Sequence, residues 1–144
     1  MIGRNLTLLS QEYPKKTICH WKKDFSTAGV KKMAEEGPAY LSVEKGRVTG
    51  LSILRNYKPN KERRAGWWLR VLFIEPACQK QGVGGHLLKR MQEIAMKKGA
   101  KRLFLHSSLN AIKFYQKMGF KKLLKYRVPS GGWTWRMSRK LSSG

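Results

Sequence analysis

The chain has 144 residues, 41% hydrophobic and 10% aromatic, enough to bury one compact core without disulfides or a structural metal and too apolar for a disordered polyelectrolyte. Lys and Arg number 31 against 8 Asp and Glu, a formal net charge of +23, a field that repels cations and attracts phosphates and carboxylates. Cys19 and Cys78 give no disulfide framework, and no apolar run approaches the ~18–20 residues of a membrane span, so one soluble, cytoplasmic domain over residues 1–144 without membrane contact is expected.

The charge is uneven. Bases outnumber acids nine to five in residues 1–50 and eleven to three in residues 51–100, while residues 101–144 carry eleven bases and no acid. An ion-pair surface of the thermostable kind would raise Glu along with Lys, so the lack of acids argues against that explanation and leaves an over-charged but idle surface as the bland alternative.

Along the chain, residues 1–25 read either as a strand around Leu6, Leu8 and Leu9 or as a short helix over Ile18–Phe25. Ser26–Glu36 reads as a helix stopped by Gly37-Pro38. Ala39–Glu44 and Arg47–Leu54 flank Lys45-Gly46 as a hairpin, and Arg55–Arg64 reads as a polar loop. Gly66–Ile74 is a nearly continuous apolar strand of the central type, interrupted only by Arg70. After Gly82-Val-Gly-Gly85 comes an amphipathic helix with Leu87, Leu88, Met91, Ile94 and Ala95 on one face, Lys89, Arg90, Gln92, Glu93 and Lys97 on the other, and Gly99 as its cap. Arg102–Leu105 reads as a strand, Asn110–Met118 as a helix, and Phe120–Val128 and Trp133–Leu141 as two strands joined by Pro129–Gly132. This order predicts a mixed α/β (α+β) sheet with helices on its faces.

The segment Gln79-Lys-Gln-Gly-Val-Gly-Gly85 joins the strongest strand to the strongest helix, where backbone N–H groups and the positive helix end favour an anion. A nucleotide-binding loop of the Gly-Lys-Ser/Thr type fails because His86 follows Gly85. A dinucleotide fingerprint fails because Leu87 stands where Gly or Ala is needed.

Ile74-Glu-Pro76 followed by Gln79-Lys-Gln-Gly82-Val-Gly84 resembles the GNAT superfamily of N-acetyltransferases, whose signature is Gln/Arg-x-x-Gly-x-Gly/Ala. Downstream, Ala111-Ile-Lys-Phe114-Tyr115-Gln-Lys-Met-Gly119-Phe120 resembles the same family's Ala-x-x-Phe-Tyr-x-x-x-Gly-Phe helix. The likeness covers roughly residues 39–141 and is specific over 72–120, while residues 1–38 match poorly.

The resemblance implies a mostly antiparallel sheet whose central strands splay around the pantetheine arm of acetyl-coenzyme A. Leu72, Phe73 and Ile74 would then offer backbone groups to that arm, and Gln79, Lys80, Gln81, Gly82, Val83, Gly84 and Gly85 would wrap the pyrophosphate. Tyr115 takes the place of the general acid that protonates the departing thiolate, its ordinary pKa of ~10 lying above that of a thiol. Where the family often has Asn seven residues before this Tyr, Ser108 stands here and Asn110 lies five before, leaving the second pantetheine contact to one of these. Three routes remain for deprotonating the amine: His106, whose ordinary pKa of ~6.5 suits a base, Glu75, or water acting on an ammonium whose pKa a positive site depresses. No metal constellation is visible, since Cys19 and His20 are adjacent and His86 and His106 isolated.

Polycationic acceptors need acidic clefts, which this chain is too poor in carboxylates to build. The acceptor is therefore expected to be a neutral or anionic small-molecule amine, or an amine associated with RNA. Basic clusters at Lys58–Arg64, Lys97–Arg102, Lys121–Arg127 and Arg136–Lys140, with Tyr126, Trp133 and Trp135 interleaved, suit nucleic acid. A catalytically silent, nucleic-acid-binding module of the same fold is the alternative. Members of the family are often dimers, but no dimer signal is visible.

Overall fold

The computed structural model describes residues 32, 35, 37–58, 65–79, 81–128 and 132–141. The readings made for residues 1–25, most of the helix at Ser26–Glu36, most of the polar loop, Lys80 and the turn before Gly132 lie outside these residues. Lys32 and Glu35 are helical and exposed.

The remaining elements follow the sequence order: β1 (Ala39–Glu44), β2 (Arg47–Tyr57), β3 (Gly66–Ile74), α1 (Val83–Lys97), β4 (Arg102–Ser107), α2 (Ile112–Lys117), β5 (Lys121–Arg127) and β6 (Trp133–Lys140). The strands form one sheet in the order β1-β2-β3-β4-β6-β5. All pairs are antiparallel except β3 with β4. That mixed, mostly antiparallel sheet agrees with the sequence reading.

Several details differ from it: β4 continues past Leu105 to Ser107, and α2 is shorter than Asn110–Met118. β2 runs on through Arg55 to Tyr57, because Tyr57 pairs with Gly66 and is buried against Trp68. Gln92, read as polar surface, is buried on α1, where its Oε1 accepts a 3.0 Å hydrogen bond from Arg139 of β6.

Leu88, Met91, Ile94 and Ala95 seat α1 on Leu54, Leu69, Leu103, Leu105 and Met137, one face of the central strands. A smaller cluster of Tyr57, Trp68 and Phe104 lies on the opposite face, consistent with side chains that alternate along each strand.

Both helices end alike. Gly99 and Gly119 adopt φ of 88° and 89°, and Ala100 N–H bonds to Ala95 O as Phe120 N–H bonds to Tyr115 O. This left-handed closure satisfies the last carbonyls and folds the following apolar residue back onto the helix. On α2 it sets the Phe120 ring 5.8 Å from the Tyr115 ring, edge to face.

No helix among the described residues is long and apolar enough to cross a membrane. Leu88 is fully buried at the centre of the main core. Leu88→Ala should therefore lower unfolding free energy by about 2–5 kcal/mol in a urea titration.

Candidate active site

The parallel ladder between β3 and β4 is very short. Only Trp67 with Leu103 and Trp68 with Phe104 are paired, and the two strands then part. The cause lies on β3, where Leu54 of β2 faces Leu69 and its neighbour Ile53 faces Val71, leaving Arg70 as an extra residue. Such a bulge bends its strand and increases its twist, and here it sits immediately beyond the last β3–β4 pair.

The peptide groups facing the opening follow from ladder alternation. Glu75 N–H bonds to Thr49 O of β2 at 2.9 Å, so Phe73 and Val71, in the same phase, also direct their backbone groups toward β2. Leu72 and Ile74 direct theirs toward the β4 side. The Gln79 side-chain amide donates to the Ile74 carbonyl at 3.3 Å, and Gln81 donates to Ala77 O at 3.2 Å. Of the three strand residues read as facing the pantetheine arm, Phe73 is thus turned to β2 by its backbone.

At the mouth of the opening, Gly82 caps α1 with φ 87°, and neither a side-chain cap nor an acid occupies the first turn. The first intrahelical bond is His86 N–H to Gly82 O, so the N–H groups of Val83, Gly84 and Gly85 precede the helical ladder. Together with the helix dipole they form a local positive field. Gly84 sits at a close approach: a Cβ there would lie 3.2 Å from Phe114 Cζ and 3.5 Å from Ile74 Cγ1. The glycine loop, the end of β3 and α2 meet at this point.

On α2, Tyr115 follows Phe114 and joins the core cluster with Leu69, Leu105 and Phe120. Burial pushes its phenol well above the ordinary tyrosine range. Ser108 and Asn110 come together where β4 ends, Ser108 Oγ donating to Asn110 Oδ1 at 2.6 Å. Lys80 lies outside the described residues.

His106 occupies the opposite face of the sheet from Tyr115. Its ring stacks on Tyr126 at 4.4 Å, 5° from parallel, and meets Trp68 edge-on at 4.9 Å. Its Nε2 accepts a 3.2 Å hydrogen bond from Arg136 Nε, which commits to a guanidinium the lone pair that a base would use. Arg136 lies over Trp68 and Tyr126 at 5.4 and 5.6 Å.

Sequence reasoning did not find this four-residue stack, since each of its members comes from a different strand, β3, β4, β5 and β6. Glu75, the other residue read as a candidate base, is buried. It lines a depression of about 200 Å³ with Glu44, Lys45, Val48, Thr49, Ala77 and Cys78, on the β2 side of β3 and away from β4.

A family model described as an acetyltransferase (GNAT) domain matches residues 9–141. The chain belongs to the GNAT acetyltransferase family. Glucosamine 6-phosphate N-acetyltransferase of Trypanosoma brucei brucei is 30% identical over 77 residues, 53% of this chain and 52% of that protein. The match thus spans about half the length of the relative.

Among solved structures, a GCN5-related N-acetyltransferase (Aminotransferase, Class-II) from Rhodopseudomonas palustris superposes with a TM-score of 0.76 at 17% identity, covering 93% of this chain and 81% of that one. The PaiA N-acetyltransferase from Thermoplasma acidophilum, solved in complex with coenzyme A, gives 0.68 at 19% identity over 92% and 82% of the two chains. These likenesses establish the GNAT fold.

The contact at Gly84 predicts a contrast between two neighbouring glycines. Gly85→Ala, whose Cβ would meet only Met118 Sδ at 3.9 Å, should gain up to about 1 kcal/mol of helix propensity. Gly84→Ala should be the less stable of the two by roughly 1–3 kcal/mol in parallel thermal melts, because Phe114 must move.

Proposed function

We propose that this GNAT chain transfers the acetyl group of acetyl-coenzyme A to a primary amine on a neutral or anionic acceptor, by direct attack within a ternary complex. The observation that carries the reading is the opening between β3 and β4 beyond Trp68 and Phe104, with the uncapped start of α1 at its mouth. A slot between strands suits a thin, extended arm, and an uncapped helix start suits its pyrophosphate.

Bound acetyl-coenzyme A supplies an activated acetyl carbon. The acceptor nitrogen bonds to that carbon, the carbon–sulfur bond breaks, and the sulfur leaves with the bonding pair. Leu72 N–H stabilises the charge gathering on the acetyl oxygen. The N–H groups of Val83, Gly84 and Gly85 receive the pyrophosphate, with Gln79, Lys80, Gln81 and Gly82 closing the loop around it. Ser108, hydrogen-bonded to Asn110, contacts the arm where β4 ends.

Tyr115 donates its phenolic proton to the departing thiolate. Its raised pKa keeps the phenol protonated throughout neutral and mildly alkaline solution, so its acid form is not lost as pH rises toward 10. For the amine proton, the engagement of His106 Nε2 by Arg136 favours removal by water, helped by a positive surround that depresses the ammonium pKa. His106 and Arg136 then act as part of the acceptor wall. The name of the trypanosomal relative specifies a phosphorylated amino sugar, which supports an anionic acceptor for a chain so rich in cations.

Calorimetry with acetyl-coenzyme A, followed by thiol release with an amine panel from amino acids and amino sugar phosphates to charged tRNA, tests the reading. No binding of acetyl-coenzyme A would overturn it and leave the silent module. Tyr115→Phe should lower kcat by about 10²–10³-fold with unchanged affinity for acetyl-coenzyme A. Wild-type kcat should show no alkaline decline attributable to an acid between pH 7 and 9.5. His106→Ala should change KM for the acceptor while leaving the shape of the pH–rate profile intact; loss of an acid limb near ~6.5 would return the base to His106.

A further inference from the structure

The β5–β6 hairpin carries a feature that acetyl transfer does not use. β5 is the edge strand, and every residue from Lys121 to Lys125 is exposed, as is Arg127. Its register with β6 sets Lys125 opposite Trp135 and Arg127 opposite Trp133, so these four share the face that also carries Lys122, opposite the core residue Met137.

On that face the cations rest on the indoles: Lys122 Nζ lies 4.7 Å from the Trp135 ring centre, Lys125 Nζ 5.6 Å from that of Trp133, and the Arg127 guanidinium 6.0 Å from Trp133. Trp133 is 45% exposed. Trp135 also neighbours Ser107 of β4 in register, so the strip runs from the end of β4, beside the cleft, outward to the sheet edge.

We infer that this strip, Lys122, Lys125, Arg127, Trp133 and Trp135, binds single-stranded RNA, its cations holding successive phosphates and the exposed face of Trp133 stacking an unpaired base. Three arguments support that occupant. No carboxylate occurs anywhere in residues 101–144, so nothing within this segment neutralises the strip, and its complement is a polyanion. The strip alternates cations with flat aromatic rings, the pairing that single strands use, since every base has a π-face. Finally, the surface is one face of a β-hairpin at the sheet edge, and a base must be unstacked to lie on its indoles, as in RNA loops and ends. An acidic peptide would satisfy the cations and leave the exposed indole unused.

Binding to this strip is independent of acetyl transfer, because none of the five residues belongs to the proposed catalytic machinery. The test is fluorescence anisotropy with a labelled 12-nucleotide oligouridylate, with acetyl-coenzyme A affinity and thermal unfolding measured on the same samples. Wild-type protein should bind in 50 mM salt and weaken about 20-fold by 200 mM, the slope expected of three phosphate contacts to a single strand. The triple variant Lys122→Glu/Lys125→Glu/Arg127→Glu should weaken binding at least tenfold more than the charge-matched triple Lys89→Glu/Lys97→Glu/Lys98→Glu on α1 and at its C-cap.

Trp133→Ala, which removes no charge, should weaken binding roughly tenfold and reduce the quenching of intrinsic fluorescence by the oligonucleotide. Lys122→Gln/Lys125→Gln replaces the charge reversal if the first triple unfolds. No binding at 50 mM salt, equal losses in the two triples, or an unaffected Trp133→Ala would each overturn the inference, the last two leaving only diffuse attraction to a basic surface.

Discussion

The interrupted ladder between β3 and β4 is the constraint on which the site depends. A strand inside a sheet ordinarily pairs on both edges, and a buried peptide group left without a partner costs about 1–3 kcal/mol. Parting two central strands after two residue pairs is therefore not a default of folding. The bulge at Arg70 imposes it by bending β3, and the other features accommodate the result: Gln79 reaches back to the Ile74 carbonyl, and Phe114 fills the corner that Gly84 leaves open. The connection from β3 through α1 to β4 is the one parallel crossover among the described residues, and the proposed binding slot lies between the carboxyl-terminal halves of both strands, toward the end where open α/β sheets receive ligands.

A second constraint is the shortage of carboxylates. The Arg90–Glu93 pair, 3.4 Å apart and about half exposed on both sides, is of the kind that contributes a few tenths of a kcal/mol. Several cations also lie over aromatic faces: Arg55 over Tyr57, Arg136 over Trp68 and Tyr126, and Lys122 over Trp135. The negative face of a ring attracts a cation without neutralising it. The field of these cations therefore survives folding, and Trp68, Trp133 and Trp135 gain a role besides core packing.

Much of this was legible in the sequence because it is local. The apolar run at Gly66–Ile74, the amphipathic pattern after Gly85 and the two glycine-terminated helices are encoded within windows of a few residues, and the glycine-loop and Phe-Tyr motifs lie inside them. The extension of β2 to Tyr57 was missed because Arg55 and Asn56 look like loop, whereas contact with Trp68 decides the matter. Gln92 was misjudged for a similar reason: its polarity suggested solvent, while its partner Arg139 lies 47 residues away. The bulge leaves no mark except Arg70 in an apolar strand, and the engagement of His106 by Arg136 depends on β4–β6 register, which no local pattern encodes.

That register also divides the chemistry. Along β4, Leu103 and Leu105 point toward the helices and join Tyr115 in the core, while Phe104 and His106 point to the other face, with Trp68 and Arg136. The period of two thus places the proposed proton donor to sulfur on one side of the sheet and the proposed acceptor wall on the other, so the amine and the thiol can be handled from opposite sides of the opening. A one-residue slip of β4 would exchange the two faces, placing His106 beneath α1 and Leu105 on the side of Trp68. The apolar contacts of Leu103 and Leu105, which touch no substrate in the proposed scheme, are therefore what keeps acid and acceptor apart.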